Sequence, residues 1–430
     1  MERLIFHIDV NSAFLSWEAA RRVSQGLDDL RLIPSAIGGD RDKRTGVILA
    51  KSLPAKKFGI QTGEPVGMAM RKCPDLVLVR PDFRLYQQCS SAFLAICKEY
   101  APIVEQVSID ECFLDMTGTG RLYPDPLAIA YNIKDRIYAQ LGFTVNVGIG
   151  NCKLLAKMAS DFEKPNKVHT LFPEEVPSKL WPLPVESLYS VGASTSEKLE
   201  KAGIHTIGQL AHTDQERLKR LTGDKLSLHL LRYANGIDPS PVLAEPEEAK
   251  GYSISTTLEE NVTDQETAFG ILLSLSDTIA ARMRADNAKA GCIGITIRSS
   301  EFKNKSHQTT LYEPTDLFRE IYTVSCKLFK ELWDKKTPIR LIGISLSHVT
   351  KEADAQMSLF PNEAKEKARR LDKTYDSIHA RFGMSSITRG SSLLTQVDVG
   401  KKYKAQMEAS GKCNPSTGKP SNHKEDNYEL

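Results

Sequence analysis

The sequence lacks the features that mark membrane, secreted or repeat proteins. It has no internal repeats, and its N-terminal run LIFHIDVNSAFLSW is apolar but short and carries Asp9, so it fits neither a signal peptide nor a membrane span. The eight cysteines form no C-x-x-C pair and have no histidines at zinc-ligand spacing, which argues against a disulfide framework and a structural zinc. We therefore expect a cytoplasmic protein that does not associate with membranes.

The chain also has little excess of charge of either sign. Its 57 Lys and Arg residues are nearly balanced by 54 Asp and Glu residues, so the formal net charge is only +3. This balance allows a nucleic-acid partner but does not demand one, because electrostatic binding depends on how charges cluster. Hydrophobic residues at 41% are typical of a folded protein, and 430 residues exceed what one core supports. Several domains are expected.

Hydrophobic patterning divides the chain into three parts. An apolar run over residues 4–10 predicts a strand, and the following segment predicts a helix that Asn11 or Ser12 would cap through its side chain. Further strands and helices to about residue 170 give an α/β pattern, followed by a proline-rich stretch and short helices. After an acidic, proline-rich linker, the third part reads as β-α-β-β-α-β.

The stretch QVSIDECFLDM places two adjacent acids, Asp110 and Glu111, inside a pattern that otherwise resembles a buried strand. If residues 103–109 and 111–116 form a hairpin with a turn or bulge at these acids, both carboxylates can face one side. Two Mg²⁺ ions about 3.5–4 Å apart would justify their burial, with Asp9 as a third ligand from another strand. Spacing alone leaves open that all three are ordinary turn or cap residues.

Five blocks of sequence resemble the Y-family, or lesion-bypass, DNA polymerases of the bacterial DNA polymerase IV and UmuC type. In family order over about 350 residues they are FHIDVNSAF, AKKFGI, SIDECFLD, VGIGNCKLLAKMASDFEKPN and VGASTSEKLEKAGI. The resemblance implies an α+β multidomain fold with the right-hand polymerase architecture: a palm at 1–29 and 79–170, fingers at 30–78, a helical thumb at 171–240, a linker at 241–252, a β-α-β-β-α-β little finger at 253–350, and a C-terminal clamp-binding segment and tail at 351–430.

The same resemblance implies a set of catalytic residues. Asp9 and Asp110 match the aspartates that bridge two Mg²⁺ ions, Glu111 matches the glutamate on the side of the primer 3′-hydroxyl, and the Val10 carbonyl matches a backbone ligand. The implied reaction is in-line attack of the primer 3′-oxygen on the α-phosphorus of a deoxynucleotide, with pyrophosphate leaving. Loss of either aspartate is expected to abolish it.

Two further positions match residues that contact the incoming nucleotide. Phe14 matches the steric gate, an aromatic ring that collides with a ribose 2′-hydroxyl, and Lys164 matches a lysine that contacts the triphosphate. Without the resemblance, Phe14 reads as a core aromatic at helical spacing with Trp17, and Lys164 as a solvated loop lysine.

Several positions depart from the family pattern. Leu53 and Lys56 stand where a tyrosine and an arginine usually contact the triphosphate, so Lys56 would keep the charge but not the bidentate fork. Asn11 and Ala13 replace a common aspartate and an aromatic beside the gate, which would widen the pocket around the incoming base. Ser190 replaces the first glycine of the thumb hairpin, although Gly192, expected to contact the DNA backbone, is kept.

The segment AQMSLF after the third part has the spacing of the peptide with which bacterial replication proteins bind the sliding clamp. Gln356, Leu359 and Phe360 would supply an amide and two large apolar anchors for a hydrophobic pocket. Such short motifs also arise by chance. Its position directly after a little finger favours binding to the β subunit of the clamp.

Together these observations predict a monomeric, template-directed DNA polymerase that acts on primer-template DNA and deoxynucleotides, with translesion synthesis at low fidelity. Two alternatives remain open at this point. The metal site could serve a nuclease or phosphotransferase, and the departures at Leu53, Lys56, Ala13 and Ser190 could indicate a weakly catalytic scaffold that binds clamp and DNA.

Overall fold

The computed structural model describes residues 3–40, 46–351, 363–383 and 386–387. Most of them form two compact units, one over residues 3–38 and 47–246 and the other from residue 247 onward. None of the described helices is both long and apolar enough to cross a membrane. All seven described cysteines are free thiols. The mixed α and β content confirms the predicted fold class.

The first unit contains eight strands and ten α-helices among its described residues. The strands are β1 (Ile5–Val10), β2 (Ser35–Gly38), β3 (Ile48–Lys51), β4 (Val77–Val79), β5 (Ile103–Gln106), β6 (Glu111–Asp115), β7 (Val145–Gly150) and β8 (Val168–Thr170). The helices are α1 (Ala13–Ser24), α2 (Leu53–Lys57), α3 (Val66–Lys72), α4 (Phe83–Lys98), α5 (Pro126–Leu141), α6 (Lys153–Ser160), α7 (Ala193–Lys201), α8 (Ile207–Ala211), α9 (Gln215–Thr222) and α10 (Asp224–Ala234).

The main sheet of this unit has the strand order β5-β6-β1-β7-β8. β1 pairs antiparallel with both β6 and β7. Side chains alternate across the sheet: Phe6, Ile8 and Val10 enter the core that α1, α4 and α5 share. On the other face, Ile5 packs with Ala156 of α6. His7 and Asp9 fall on that second face by the same alternation.

Two glycines in β7 let α6 lie unusually close to the sheet. A Cβ atom at Gly148 would come within 2.0 Å of the Ala156 carbonyl oxygen and 2.4 Å of the Ser160 amide nitrogen. A Cβ atom at Gly150 would come within 2.9 Å of the Ala156 amide nitrogen. Any side chain at these two positions would push the helix away. This close approach brings the α6 side chains to the strand ends that carry the acids.

Two smaller parts complete the first unit. Strands β3, β2 and β4 form a three-stranded sheet whose core includes α3 residues such as Val66 and Ala69. Helices α7–α10 share a separate core, which includes Leu199, Leu210 and Leu230. No strand lies within residues 171–240, as the sequence predicted for this region.

The second unit begins after the linker. Its elements are β9 (Tyr252–Val262), α11 (Gln265–Ala285), β10 (Ala288–Ser299), β11 (Asn304–Thr315), α12 (Phe318–Leu332), β12 (Ile339–Lys351) and α13 (Glu363–Phe382). The first six confirm the predicted β-α-β-β-α-β order. The sheet is antiparallel with the strand order β11-β10-β12-β9, and α11 and α12 pack on it.

Helix α13 was not predicted from the sequence, which assigned residues 351–430 to a clamp-binding segment and tail. It is fixed to the second unit by ion pairs rather than by a wide apolar face. Arg284 of α11 donates to both carboxylate oxygens of Asp376, at 2.6 and 2.9 Å, and lies 3.5 Å from Asp372. Asp372 in turn accepts a 3.0 Å bond from the backbone N–H of Phe318. These contacts extend the unit to at least residue 382.

Candidate active site

The three predicted acids lie at one end of the β1–β6 strand pair. In this antiparallel register Asp9 stands directly opposite Glu111, and directly opposed residues project from the same face of a sheet. Asp110 immediately precedes β6, and its carbonyl oxygen accepts a 3.0 Å hydrogen bond from the Val10 N–H. The predicted hairpin is therefore confirmed, but its turn covers residues 107–110 and Glu111 is the first residue of β6, whereas the sequence placed the turn or bulge at Asp110 and Glu111.

The side chain of Asp110 has a different partner from the other two acids. Its carboxylate accepts a 2.6 Å hydrogen bond from the Ser108 hydroxyl, within the hairpin turn. Asp9 and Glu111 instead face α6 and the loop that follows it, because both are on the face of the sheet that α6 covers. The fold thus brings all three acids to one strand end. Only the side chains of Asp9 and Glu111, however, have partners in α6 and the loop that follows it.

Two lysines neutralise the two acids on this face. Lys157 of α6 lies 2.9 Å from a carboxylate oxygen of Glu111, and Lys164 in the following loop contacts the carboxylate of Asp9. Lys164 also lies 2.8 Å from Asp161. Neither Lys157 nor the Asp9–Lys164 contact was predicted. One indication of Lys157 was present in the sequence: the segment LLAKMAS places a lysine on the helix that covers the acidic strand end.

Burial and neighbouring charges shift the pKa values of these acids in opposite directions. Burial raises the pKa of Asp9 to about 6, although the Lys164 ammonium opposes this rise. The neighbouring His7 imidazole, together with Lys157, holds the pKa of Glu111 well below its usual range. Burial lowers the pKa of His7, whose Nε2 lies 3.8 Å from Glu111, longer than a hydrogen bond. Its Nδ1 lies 2.8 Å from the Ser160 hydroxyl.

The donor chemistry of this strand end suits Mg²⁺. Carboxylate oxygens are the protein ligands that Mg²⁺ uses, and here two of them project from one face with a third acid beside them. Within the described ranges, no three His, Cys, Asp or Glu side chains are already grouped closely enough to hold a metal ion. The Asp110 carboxylate accepts a bond from Ser108, and the two lysines contact the other two acids, so a bound metal would compete with these partners for the carboxylate oxygens.

Phe14 lies on the first turn of α1, next to this strand end. Its ring stacks on Tyr86 of α4, with centroids 4.6 Å apart, and contacts Trp17 at 5.9 Å. The ring therefore packs on the core but is only half-buried, and its role as a steric gate stays a prediction. Ser12 caps α1 without a side-chain hydrogen bond, so the predicted side-chain cap by Asn11 or Ser12 is wrong.

The remaining predicted site residues lie away from the acids along the chain. Lys56 and Leu53 are exposed on α2, and Gly192 precedes α7 with an extended backbone. Ser190 adopts φ 76°, a left-handed conformation that glycine accepts more readily. The serine therefore keeps a glycine-like backbone shape at some energetic cost. Gln356, Leu359 and Phe360 lie outside the described residues.

Three family models match the chain. They are the impB/mucB/samB family over residues 8–161, the C-terminal domain of that family over residues 249–359, and the DNA polymerase-iota thumb domain over residues 186–238. Together they cover each part that the fold distinguishes. The three acids, Lys157 and Phe14 fall within the first match, whereas Lys164 lies three residues beyond its end.

Curated relatives match along nearly their whole length. DNA polymerase IV of Clostridium acetobutylicum is 43% identical over 393 residues, which cover 90% of this chain and 98% of the relative. DNA polymerase IV 1 of Bacillus subtilis is 36% identical over 396 residues, covering 91% and 93%. A solved Y-family DNA polymerase chimera is similar in fold, with a TM-score of 0.71 and 23% identity over 81% of this chain and all of the chimera.

Proposed function

The chain belongs to the impB/mucB/samB family and is a Y-family DNA polymerase active in translesion synthesis, and we propose that it adds deoxynucleotides to a primer by two-metal catalysis. The observation that carries the proposal is the placement of Asp9 opposite Glu111, with Asp110 directly before β6 and its carbonyl oxygen bonded to the Val10 N–H. Asp9 is buried, and Glu111 and the two lysines that contact these acids are only partly exposed. Four charged groups at one strand end lower the stability of the fold, and such a loss is expected where the groups serve a function.

We assign the acids as the ligands of two Mg²⁺ ions. Asp9, Asp110 and the Val10 carbonyl would hold the ions together with Glu111, which would serve the side of the primer 3′-hydroxyl. When bound, the ions would favour ionisation of the primer hydroxyl and neutralise the charge on the departing pyrophosphate. The chain's own contribution is to hold these oxygens in place before the nucleotide arrives.

Lys164 and Phe14 would act on the nucleotide itself. The ammonium of Lys164 is 37% exposed in its contact with Asp9, so it can turn from the carboxylate to a triphosphate without unfolding its loop. The half-buried ring of Phe14, backed by Tyr86, would exclude a ribose 2′-hydroxyl from the same space. Lys56 would add charge near the phosphates, without the two-pronged contact that an arginine makes.

The other parts of the molecule would bind DNA and the clamp. The five-stranded sheet would be the palm, the three-stranded sheet the fingers, α7–α10 the thumb and the second unit the little finger. Primer-template DNA would contact backbone N–H groups near Gly192, and the sliding clamp would bind Gln356, Leu359 and Phe360. The protein would work as a monomer in the cytoplasm.

A catalytically weak scaffold of the same family is the second candidate. It is favoured by exposed Leu53 and Lys56 on α2, where the resemblance implies a tyrosine hydroxyl and an arginine fork. All three acids are retained, which argues for catalysis. The two candidates differ in one outcome, because a scaffold binds primer-template DNA and clamp but does not extend the primer.

Primer extension on damaged and undamaged templates tests the proposal. We expect extension by the wild type, a loss of at least about a thousandfold in Asp110→Ala because metal ligation is removed, and an unchanged rate in Asp135→Ala, which removes an exposed palm carboxylate. Phe14→Ala should extend with deoxynucleotides and incorporate ribonucleotides more readily.

Each outcome has a clear meaning. A wild type that binds DNA and clamp without extending a primer would favour the scaffold. Full activity in Asp110→Ala would remove the metal assignment, and unchanged ribonucleotide exclusion in Phe14→Ala would remove the gate assignment. Degradation of the duplex under the same conditions would indicate a nuclease.

A further inference from the structure

Two buried asparagines connect the catalytic strands to the loop that carries Lys164. Asn11 directly follows β1 and is 7% exposed, and Asn146 lies within β7 and is fully buried. The Asn11 side-chain amide donates a 3.1 Å hydrogen bond to the Asn146 side-chain oxygen. Two adjacent strands of the palm sheet are thus joined through side chains at the end where the acids lie.

Asn146 has every hydrogen-bonding position of its amide filled. Its oxygen accepts from Asn11 and, at 3.2 Å, from the Lys167 N–H. Its NH₂ group donates to two backbone carbonyls, those of Ser160 at 3.0 Å and Glu163 at 2.7 Å. Only a neutral side-chain amide combines two N–H donors with an oxygen that can accept two hydrogen bonds in this small volume.

The bonds of this asparagine pair hold the loop on both sides of Lys164. Asn146 binds the Glu163 carbonyl on one side and the Lys167 N–H on the other. Asn11 adds a third anchor, because its oxygen accepts a 2.9 Å bond from the Asn166 N–H. The loop joins α6, which ends at Ser160, to β8, which begins at Val168. A lysine on a loop with three backbone anchors can rotate its side chain while its Cα stays in place.

We propose that Asn11 and Asn146 are positioning residues that hold this loop so that Lys164 reaches both Asp9 and the triphosphate of an incoming nucleotide. The inference rests on the proposed function, because it assigns the nucleotide as the second partner of Lys164. It also gives Asn11 a role different from capping α1. The asparagine in place of a common aspartate is then matched to Asn146, whose oxygen would repel a carboxylate at position 11.

Replacing Asn146 by aspartate is the sharpest perturbation, because it keeps the size and removes both donors. An anionic oxygen would then face the Ser160 and Glu163 carbonyls. We expect single-nucleotide insertion by Asn146→Asp to show a KM for the nucleotide raised about ten- to a hundredfold, with kcat changed less than about threefold and DNA affinity unchanged. Asn132→Asp is the matched control, since Asn132 is exposed on α5 and its side-chain oxygen accepts a 2.8 Å bond from the Tyr100 hydroxyl.

A double-mutant cycle with Lys164→Ala decides whether Asn146 acts through the lysine. If it does, Asn146→Asp should change the nucleotide KM by less than about twofold when Lys164 is already absent. An equal fold-change in both backgrounds would overturn the inference, as would an unchanged KM in a folded Asn146→Asp protein. Circular dichroism and thermal unfolding establish folding, and Asn146→Ser, which keeps one donor, replaces the aspartate variant if that variant fails to fold.

The same measurements separate this inference from the proposed function. A wild-type protein that does not insert nucleotides would contradict the polymerase assignment itself. An active wild type whose cycle is additive would contradict only the role of the asparagine pair.

Discussion

Both units of the molecule bury acidic side chains against basic ones, but they use different bases for it. In the five-stranded sheet of the first unit, which we propose as the palm, Asp9 and Glu111 are neutralised by Lys164 and Lys157. In the second unit, Asp376 and Asp372 are neutralised by Arg284. The bases also differ in exposure: the Lys164 side chain is 37% exposed and that of Arg284 only 4%.

This difference shows how one kind of interaction serves two purposes. An ammonium forms point contacts on a flexible stem, so a lysine can exchange a carboxylate for another anion. A guanidinium binds in a fixed fork, and Arg284 adds a third bond of 3.0 Å to the Asp316 carbonyl. The palm pairs are therefore suited to being opened by a ligand, and the Arg284 cluster to holding α13 permanently.

The largest effect is expected from removing the fixed base. Arg284→Met leaves Asp372 and Asp376 without their buried partner and should lower the free energy of unfolding of the second unit by about 3–5 kcal/mol. Hydrogen exchange read separately in α13 and in the palm strands measures this. A loss below about 1 kcal/mol would mean that α13 is held by its other contacts.

In the palm, removing an acid should stabilise the protein. Because burial raises the pKa of Asp9 from 3.8 to about 6, the folded state binds more protons than the unfolded state between these values, and stability falls as pH rises through them. Without divalent cations, Asp9→Asn should gain about 2–3 kcal/mol at pH 7.5 and almost nothing at pH 4. Denaturant unfolding at both pH values measures the gain. An equal gain at both would contradict the role of burial.

Replacing Arg284 by lysine tests whether the paired hydrogen bonds of the guanidinium hold α13, or its charge alone. Arg284→Lys keeps the charge but cannot make the paired bonds to Asp376. It should therefore lower the free energy of unfolding of the second unit by about 1.5 kcal/mol. The measurement is the same hydrogen exchange in α13. A variant as stable as the wild type would show that charge alone holds this helix.

The smallest effect is expected at the edge of the α13 contact. Lys365 lies 2.9 Å from Glu313 and 3.2 Å from Glu320, but it is 34% exposed. Because solvent screens such pairs, Lys365→Ala should lower the free energy of unfolding of the second unit by at most about 1 kcal/mol. Denaturation in low and high salt measures the difference, which should shrink with salt. A cost comparable to that of Arg284→Met would place the main attachment of α13 here instead.

Local pattern was enough to predict much of the fold. The pattern of QVSIDECFLDM predicted the hairpin, although it placed the turn at Asp110 and Glu111, and the resemblance placed Asp9 beside it. The β-α-β-β-α-β order followed from alternating apolar patterns. Helix α13 was missed because its sequence is polar and its stability comes from Arg284, a residue 92 positions from Asp376. The spacing of apolar residues within one segment gives no information about such a distant contact.

The same limit applies to the site. Lys157 was missed because its meeting with Glu111 depends on how closely α6 approaches β7, which Gly148 and Gly150 permit. Asn11 was misassigned as a cap because a polar residue before a helix usually caps it. Its actual partner, Asn146, lies 135 positions away.

The sequence by itself determined which side chains share a face of the palm sheet, because a strand's backbone sends alternate residues to opposite sides and water separates the apolar ones from the rest. That is why Asp9 falls on the same side as Ile5 and away from Phe6. Only the tertiary structure decided that Asp9 meets Lys164, 155 positions away, and that Glu111 meets Lys157. Ion pairs and amide bonds form between groups that packing brings within a few ångströms, and that proximity is a property of the whole fold.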